Sequence, residues 1–288
     1  MKPPPFAYHD PTTVSDAVAL LGKLENAKLL AGGQSLMPML AMRYVLPDHV
    51  IDLNRVDELA FIRAEQGDVR IGGMTRQRDL EFSALVAARL PLMREAIRQV
   101  GHRQTRNRGT IAGSLCHLDP AAELVAVCAT HDAVITVAGP SGEREIPFGE
   151  FPLAYMTPSI GPDELVVAIR IACWPDRHGY GFEEFARRHG DFALASAAAL
   201  LAADSEGRIA RAALTIGGVA TCPLRMTEIE RALVGQVPSE ALFRELAEQC
   251  RRIEAMSDVH APASYRQQLA AVLARRALLR ASERMGRA

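Results

Sequence analysis

The sequence predicts an α+β fold built from three successive segments. Three observations support this prediction: short apolar stretches typical of strands recur along the chain, Pro and Gly fill the gaps between them, and helical periodicity dominates the C-terminal end. The chain has 288 residues, of which 49% are hydrophobic, so it can form about two domains with a sizeable core.

The first segment, residues 1–55, has the pattern of a small α/β unit. Thr13 to Asp16 begin a helical stretch, and Ala27 to Ala31 form a short apolar strand that ends at two glycines. A second strand is predicted at His49 to Leu53. The residues between the two strands can form a helix, which would allow a parallel crossover.

The second segment, residues 56–175, mixes strands and helices. A strand is predicted at Asp68 to Gly73, followed by a helical run from Arg76 to about Gln99 that Pro91 interrupts. Further strands are predicted at residues 133–137, 144–146 and 164–172.

The third segment, residues 176–288, begins with an ambiguous alanine-rich stretch, Phe192 to Ala203. Helix propensity alone favours a helix there. The turn at Asp204 to Gly207 and the strand-like run from Ile209 to Val219 favour an antiparallel hairpin instead, and we predict the hairpin. Helices at about residues 226–234, 239–255 and 264–284 complete the chain.

Composition and charge exclude several classes of protein. The 33 basic and 34 acidic residues leave a formal charge of -1, so the sequence predicts neither nucleic-acid binding nor attraction to an anionic membrane. The longest apolar run, residues 192–203, is too short to span a bilayer, and the N-terminus lacks the apolar stretch of a secretory signal. We therefore expect a cytoplasmic protein.

The 5 cysteines are scattered without a CxxC pair, so they predict reduced thiols and no metal or iron–sulfur ligands in this chain. No GxGxxG opens a helix, and no Walker motif, nucleophile elbow or HExxH is present. His102, His117 and His189 lie beside the glycine motifs described next, where we interpret them as surface or supporting residues. We predict no catalytic residue and no metal site.

Two glycine-containing segments are candidates for binding an anion. In the first, Lys28 to Leu36, paired glycines allow backbone N–H groups to turn towards an anion, and Ser35 adds a hydroxyl; a tight strand-to-helix turn is the alternative. The second, Arg106 to Ser114, follows a strip of five arginines and one glutamate with a formal charge of +4. It offers hydroxyls to a diphosphate, although the strip could equally be a solvated helix face or a subunit contact.

Together these segments resemble the FAD-binding medium subunit of molybdenum hydroxylases, the xanthine dehydrogenase and carbon monoxide dehydrogenase type. The resemblance rests on AGGQSLMPML at residues 31–40 with Arg43, and on RNRGTIAGS at residues 106–114 with DPAAE at residues 119–123. IGGMT at residues 71–75 and RRHGDFA at residues 187–193 extend it over nearly the whole chain.

The resemblance implies the fold and the role of the chain. It implies a two-lobed FAD-binding domain of the para-cresol methylhydroxylase (PCMH) type, with lobes at 1–55 and 56–175, and a C-terminal domain of a small antiparallel sheet and helices at 176–288. The chain would be one subunit of an oxidoreductase hetero-oligomer. Hydroxylation would occur at the molybdenum cofactor of a large subunit, and [2Fe-2S] clusters of a small subunit would pass electrons to FAD and then to an external acceptor.

The resemblance also implies which residues contact FAD. The glycine segments Ala31 to Ser35 and Thr110 to Ser114 match those that hold the pyrophosphate, and Asp119 matches an aspartate that contacts FAD. Asp191 and Phe192 match the segment beside the isoalloxazine. The complete expected set is Lys28, Leu29, Ala31, Gly32, Gly33, Gln34, Ser35, Leu36, Thr75, Val100, Gly109, Thr110, Ile111, Ala112, Gly113, Ser114, Asp119, Val166, Asp191 and Phe192.

Two residues depart from the family pattern. Ala112 replaces a usual glycine, so the segment would be strained if a positive φ were required there. Phe192 replaces a frequent tyrosine, which removes a hydroxyl that could influence the flavin potential or the access of an acceptor. Two alternative functions stay open: a stand-alone flavin oxidoreductase with its own substrate pocket, or an assembly module that has lost FAD.

The C-terminal segment is rich in arginine. It could dock partner subunits, although we favour a role in solubility. Its basic residues are Arg266, Arg275, Arg276, Arg280, Arg284 and Arg287.

Overall fold

The chain begins with a small parallel sheet. The computed structural model describes residues 2–286, and its first sheet has the strand order β1-β3-β2. β2 and β3 run parallel with Ala27 opposite His49, so the predicted parallel crossover is confirmed. The elements of this part are β1 Ala7–His9, α1 Val14–Lys23, β2 Ala27–Leu30, α2 Leu36–Ala41 and β3 His49–Asp52.

The second sheet is antiparallel and has five strands in the order β4-β5-β10-β6-β7. All strands predicted between residues 56 and 175 are confirmed in it. A separate two-stranded hairpin, β8-β9, precedes β10. The strands are β4 Ile62–Glu65, β5 Asp68–Gly72, β6 Val134–Gly139, β7 Gly142–Pro147, β8 Pro152–Ala154, β9 Thr157–Pro158 and β10 Leu165–Ala172.

Six helices lie between β5 and β6, and all of them except α6 contribute buried residues to the core that they share with this sheet. They are α3 Gln77–Phe82, α4 Ala84–Arg89, α5 Pro91–Ile97, α6 Arg103–Arg108, α7 Ile111–His117 and α8 Glu123–Thr130. The helical run predicted from Arg76 is interrupted at more positions than Pro91 alone. Ser83 also interrupts the run, because its hydroxyl accepts the Val86 N–H at 3.3 Å and caps a new helix.

The third sheet, β11-β12-β13-β14, contains the predicted hairpin. Residues 195–203 form a strand, because both of its faces are buried: Ala197 and Ala199 pack towards the C-terminal helix, whereas Ala198 and Leu200 pack into the core of the second segment. The elements are β11 Gly179–Phe185, β12 Ala195–Ala203, β13 Ile209–Gly217, β14 Leu224–Arg225, α9 Thr227–Leu233, α10 Glu240–Ala247 and α11 Ala263–Arg284.

The helix predicted at 239–255 is shorter than expected: α10 ends at Ala247, and a 3₁₀ turn, Glu248–Arg252, follows it. None of the helices within 2–286 is long and apolar enough to cross a membrane.

The arginines of α11 are used inside the chain. Arg280 and Arg284 bind Glu95 on α5, which ties the C-terminal helix to the second segment. Arg266 is 3% exposed and donates to Leu194 O at 2.6 Å and to Gly218 O at 2.8 Å. Arg266 is therefore buried and cannot dock a partner, whereas Arg280 and Arg284 keep 42% and 33% of their side chains exposed; Arg287 lies outside the described residues.

Asp258 completes the contacts of Arg266. Its carboxylate accepts from the guanidinium at 2.6 Å. Burial alone would raise the pKa of Asp258, but the N–H groups of His260 and Ala261 and the charge of Arg266 lower the pKa to about 2. Asp258 therefore stays charged at neutral pH, and through these hydrogen bonds Arg266 joins the loop before α11 to the ends of β12 and β13.

We expect Arg266→Met to lower the free energy of unfolding by about 3 kcal/mol, because it removes the cation from two buried carbonyls and a carboxylate. Urea denaturation would measure the change. Arg244→Met is the matched control. Within residues 2–286 that residue forms a single, exposed ion pair, with Glu240, and its loss should change stability by less than about 0.5 kcal/mol. Equal effects for the two variants would contradict the anchoring role of Arg266.

Candidate functional site

A cleft of about 790 Å³ opens where the first sheet meets the helices of the second segment. This volume lies within the ~300–1,000 Å³ usual for cofactor sites. All of the predicted cofactor-binding residues line it except Thr75 and Ile111. The fold therefore brings together segments 28–36, 100–119 and 190–192, which are far apart in the sequence.

Thr75 and Ile111 lie behind the wall of the cleft. The Thr75 hydroxyl donates to Phe61 O at 2.8 Å, and its carbonyl accepts the Ile111 N–H at 3.1 Å. Ile111 is fully buried in the core. The two residues thus support, from behind, the residues around them that line the cleft.

The first glycine loop, residues 31–36, touches the backbone of the turn between α6 and α7. A Cβ atom on Gly32 would lie 2.3 Å from Arg108 O and 2.7 Å from Gly109 Cα, distances that no side chain tolerates. Gly33 has φ +73°, in the left-handed region that favours glycine. Both glycines are therefore required by the geometry, Gly32 for a close approach and Gly33 for its backbone conformation.

The first glycine loop also offers a row of backbone donors to the cleft. Within residues 2–286, no acceptor takes a hydrogen bond from the N–H groups of residues 32–36. Consecutive N–H groups without internal partners, next to a residue of positive φ, form the type of nest that binds anions. The loop thus has the donors that a pyrophosphate needs.

Asn54 and Arg76, which the sequence analysis did not identify, brace this loop. The Arg76 guanidinium donates to Arg108 O and to the Asn54 side chain, and Asn54 Nδ2 donates to Ala31 O at 3.0 Å. Burial, and secondarily the charge of Arg108, lower the pKa of Arg76. The only signal for Asn54 in the sequence is its place just after a strand.

The second glycine motif differs from the loop expected between residues 106 and 114. Only Gly109 and Thr110 separate α6 from α7, because the Thr110 hydroxyl accepts the Gly113 N–H at 3.1 Å and caps α7. The N–H groups of residues 111–114 all bond inside the protein. This segment presents the hydroxyls of Thr110 and Ser114 to the cleft and no free N–H from these four residues.

Ala112 adopts the helical conformation of α7, so the strain that a positive φ would cause does not arise. Its N–H donates to Gly73 O at 3.1 Å. The replacement of a usual glycine at this position is therefore compatible with the cleft.

The arginine strip approaches the first glycine loop through one residue. Arg108 does not line the cleft itself; it lines a neighbouring pocket of about 420 Å³ together with Gly32 and Gly33. Arg106 instead binds Glu81 at 2.8 Å. Only part of the formal charge of +4 in the arginine strip therefore lies next to the first glycine loop, where a ligand could use it.

A further stretch of lining was missed by the sequence analysis. β9 and the loop before β10 contribute Met156, Pro158, Ile160, Gly161, Pro162 and Glu164. No local pattern distinguishes these residues from an ordinary loop. Phe192, by contrast, was identified, and it stands at the rim of the cleft with 64% of its surface exposed.

One end of the cleft is lined by ionisable groups. Asp119 Oδ1 accepts the Ala121 N–H at 2.8 Å in a turn; it does not cap α8, whose N-cap is Ala122. Burial lowers the pKa of His117 and raises the pKa of the Cys116 thiol to about 12. Glu123 is 8% exposed, and burial, then the Glu184 carboxylate, raise its pKa to about 8.

These properties fit a dinucleotide cofactor. The cleft combines free N–H donors and hydroxyls at one end with an aromatic ring and carboxyl groups elsewhere along its walls. The protonated Cys116 thiol is a poor nucleophile. No cluster of three or more potential metal ligands occurs in the part of the chain that the structure describes.

Comparison with known proteins agrees with this geometry. Residues 4–174 match the family model described as FAD binding domain in molybdopterin dehydrogenase, and residues 180–281 match the CO dehydrogenase flavoprotein C-terminal domain. The 6-hydroxypseudooxynicotine dehydrogenase complex subunit alpha of Paenarthrobacter nicotinovorans is 38% identical over 99% of this chain and 97% of its own length. The carbon monoxide dehydrogenase medium chain of Afipia carboxidovorans is 38% identical over 99% of both chains.

Solved structures are similar over the same length. A chain of the carbon monoxide dehydrogenase from Hydrogenophaga pseudoflava that lacks the Mo-pyranopterin moiety has a TM-score of 0.96 and 38% identity, over 99% of this chain and 100% of that one. A chain of quinoline 2-oxidoreductase from Pseudomonas putida 86 has a TM-score of 0.94 and 32% identity, over 98% and 99%. The chain therefore belongs to the family of FAD-binding medium subunits of molybdenum hydroxylases.

Proposed function

We propose that this chain binds FAD in the cleft and carries electrons from a [2Fe-2S] partner subunit to an external acceptor. The observation that carries the proposal is the row of unbonded N–H groups at residues 32–36, beside Arg108. A pyrophosphate carries negative charge, and backbone N–H donors with a nearby guanidinium would stabilise it. Family membership supports the same assignment.

The predicted residues would contact different parts of the cofactor. The first glycine loop, with the Thr110 and Ser114 hydroxyls, would hold the pyrophosphate, and Asp119 would accept a hydrogen bond from a sugar or ribityl hydroxyl. Val100 and Val166 would form an apolar wall, and Asp191 and Phe192 would lie beside the isoalloxazine. Thr75 and Ile111 would support this wall from behind.

The protein's own part in the chemistry is to bind, orient and shield. FAD, when bound, supplies the redox chemistry. We propose no nucleophile or general base in this chain; the protonated Cys116 thiol supports the absence of a nucleophile at that position.

The partners would be a large subunit with a molybdenum cofactor and a small subunit with [2Fe-2S] clusters. The names of the relatives support a hetero-oligomer, since they designate a medium chain and a subunit of a dehydrogenase complex. The 5 cysteines are all free, which suits a reducing compartment, and we place the protein in the cytoplasm.

We further propose that residues 1–55 and 56–175 are the two lobes of the FAD-binding domain and that 176–288 form the C-terminal domain. The separate sheets formed by residues 7–52, 62–172 and 179–225 support these boundaries.

Of the alternatives, a stand-alone flavin oxidoreductase would turn over an organic substrate without partners. The other alternative, an assembly module without FAD, was suggested only by Ala112 in place of a glycine. Because Ala112 fits the helical conformation of α7, it no longer favours that alternative.

The first test is the FAD content of purified protein, measured by absorbance after denaturation. We expect about one FAD per chain in the wild type, and loss of most of it in Gly32→Ala, because the added Cβ would push the first glycine loop away from Arg108 and Gly109. Gly149→Ala is the control, since a Cβ there meets nothing within 4 Å. A folded wild-type chain that takes up no FAD, even from excess, would refute the proposal.

The second test concerns the rim of the cleft. In the flavin-loaded complex, Phe192→Ala should keep its FAD but be reoxidised faster by ferricyanide, because the exposed ring would no longer shield the cofactor from a small oxidant. Phe82→Ala is the control: that ring is 62% exposed and does not line the cleft. Stopped-flow absorbance would measure the rates. Unchanged reoxidation in Phe192→Ala would remove this residue from the flavin site.

A further inference from the structure

The buried Arg266 of α11 is hydrogen-bonded behind two segments that line the cleft. Its Nη1 atom donates to Leu194 O at 2.6 Å and to Gly218 O at 2.8 Å, and its Nη2 atom donates to the Asp258 carboxylate at 2.6 Å. A guanidinium presents its N–H donors in a fixed planar geometry. One rigid group therefore sets the relative position of the Leu194 and Gly218 carbonyls.

Gly218 continues these hydrogen bonds to the turn that carries Asp119. The Gly218 N–H donates to Pro120 O at 2.7 Å. Asp119 lines the cleft, and its Oδ1 atom accepts the Ala121 N–H at 2.8 Å. Because Arg266 holds the carbonyl of Gly218 and the N–H of Gly218 holds Pro120, a displacement of the guanidinium reaches the Asp119 turn through a single residue.

Leu194 connects Arg266 to the rim of the cleft. Asp191 and Phe192 line the cleft, and Leu194 follows them in the irregular connection that leads into β12. The Leu194 N–H donates to Phe185 O at 2.8 Å, and its carbonyl accepts from Arg266. The position of the Asp191–Phe192 segment is therefore fixed at its C-terminal end by the same guanidinium.

The two segments meet at Gly218. This residue has φ +76°, in the left-handed region that favours glycine. A Cβ atom on Gly218 would lie 3.1 Å from Ala193 O and 3.3 Å from Leu194 O. Gly218 thus packs against the Leu194 end of one segment while its N–H binds the other, at Pro120.

We propose that Arg266 is a positioning residue of the cofactor site, which sets the spacing between the Asp119 turn and the Asp191–Phe192 segment. The proposal rests on the proposed function, because it takes FAD to be the occupant of the cleft. Arg266 lies outside the lining of the cleft, so it acts on the cofactor through the backbone groups that it holds. Walls that are fixed before the cofactor arrives reduce the ordering cost of binding.

Arg225 provides a matched control. It also belongs to the third segment and binds the second: Nη1 donates to Ala129 O at 2.7 Å and to Asp132 at 2.5 Å, while Nε donates to Glu230 at 2.9 Å. Ala129 and Asp132 lie outside the lining of the cleft. Removing Arg225 therefore destabilises a similar junction without releasing a wall of the site.

The first experiment titrates flavin-free Arg266→Met and Arg225→Met with FAD, at a temperature where far-UV circular dichroism shows both proteins to be folded. We expect the Kd for FAD to rise at least about tenfold in Arg266→Met, because the two walls lose their fixed spacing, and less than about twofold in Arg225→Met. The visible circular dichroism of the bound flavin should change in Arg266→Met alone.

A folded Arg266→Met protein with the wild-type Kd and flavin spectrum would overturn the proposal. An equal weakening in Arg225→Met would also overturn it, because the effect would then follow from stability alone. If the wild-type protein takes up no FAD, the proposed function fails, and a measurement without cofactor decides whether Arg266 holds the two segments.

Hydrogen exchange in the flavin-free protein, followed by mass spectrometry, is that measurement. The N–H groups of Ala121, Leu194 and Gly218 are hydrogen-bonded, so they exchange slowly while the junction is intact. Arg266→Met should accelerate exchange at these positions, and Arg225→Met should not.

Asp258→Asn serves as a second variant if Arg266→Met does not fold. It removes the charge of the carboxylate that binds the guanidinium but keeps both carbonyl bonds of Arg266, so we expect a smaller acceleration at the same positions. Acceleration confined to residues 258–266, in whichever variant folds, would overturn the proposal.

Discussion

The contact between Gly32 and the backbone at Arg108 and Gly109 is the constraint on which the cleft depends. It joins the end of β2 to the turn between α6 and α7, and no residue with a Cβ atom fits at Gly32. Arg76 and Asn54 secure the same junction by hydrogen bonds to both segments. Because the first glycine loop is held from outside, its own N–H groups need no internal partner and can face a ligand.

The third sheet connects the C-terminal part of the chain to this arrangement. Strand β12 of this sheet is buried on both faces. Its small side chains let α11 approach one face while α8 packs against the other. The two faces differ in charge. Towards α11, Glu183 binds Arg280, whereas on the opposite face Glu184 forms no ion pair within the described residues and its Oε2 atom is buried without a hydrogen-bond partner.

The charge beside the cleft matters for a subunit that holds a redox cofactor. Arg108 lines the small pocket next to the first glycine loop, whose N–H groups are free, and together they suit a constant negative charge such as a pyrophosphate.

The sequence by itself determined the order of most strands and helices, the hairpin at residues 192–219, the family, and the two glycine motifs, because turns, periodicity and close-packed glycines leave local patterns. The tertiary structure alone decided that residues 111–114 form a capped helix, that Asn54 and Arg76 brace the first glycine loop, and that residues between Met156 and Glu164 line the cleft. Each of these depends on contacts between residues that are distant in the chain. The local sequence does not show which distant group supplies a hydrogen bond or a counter-ion.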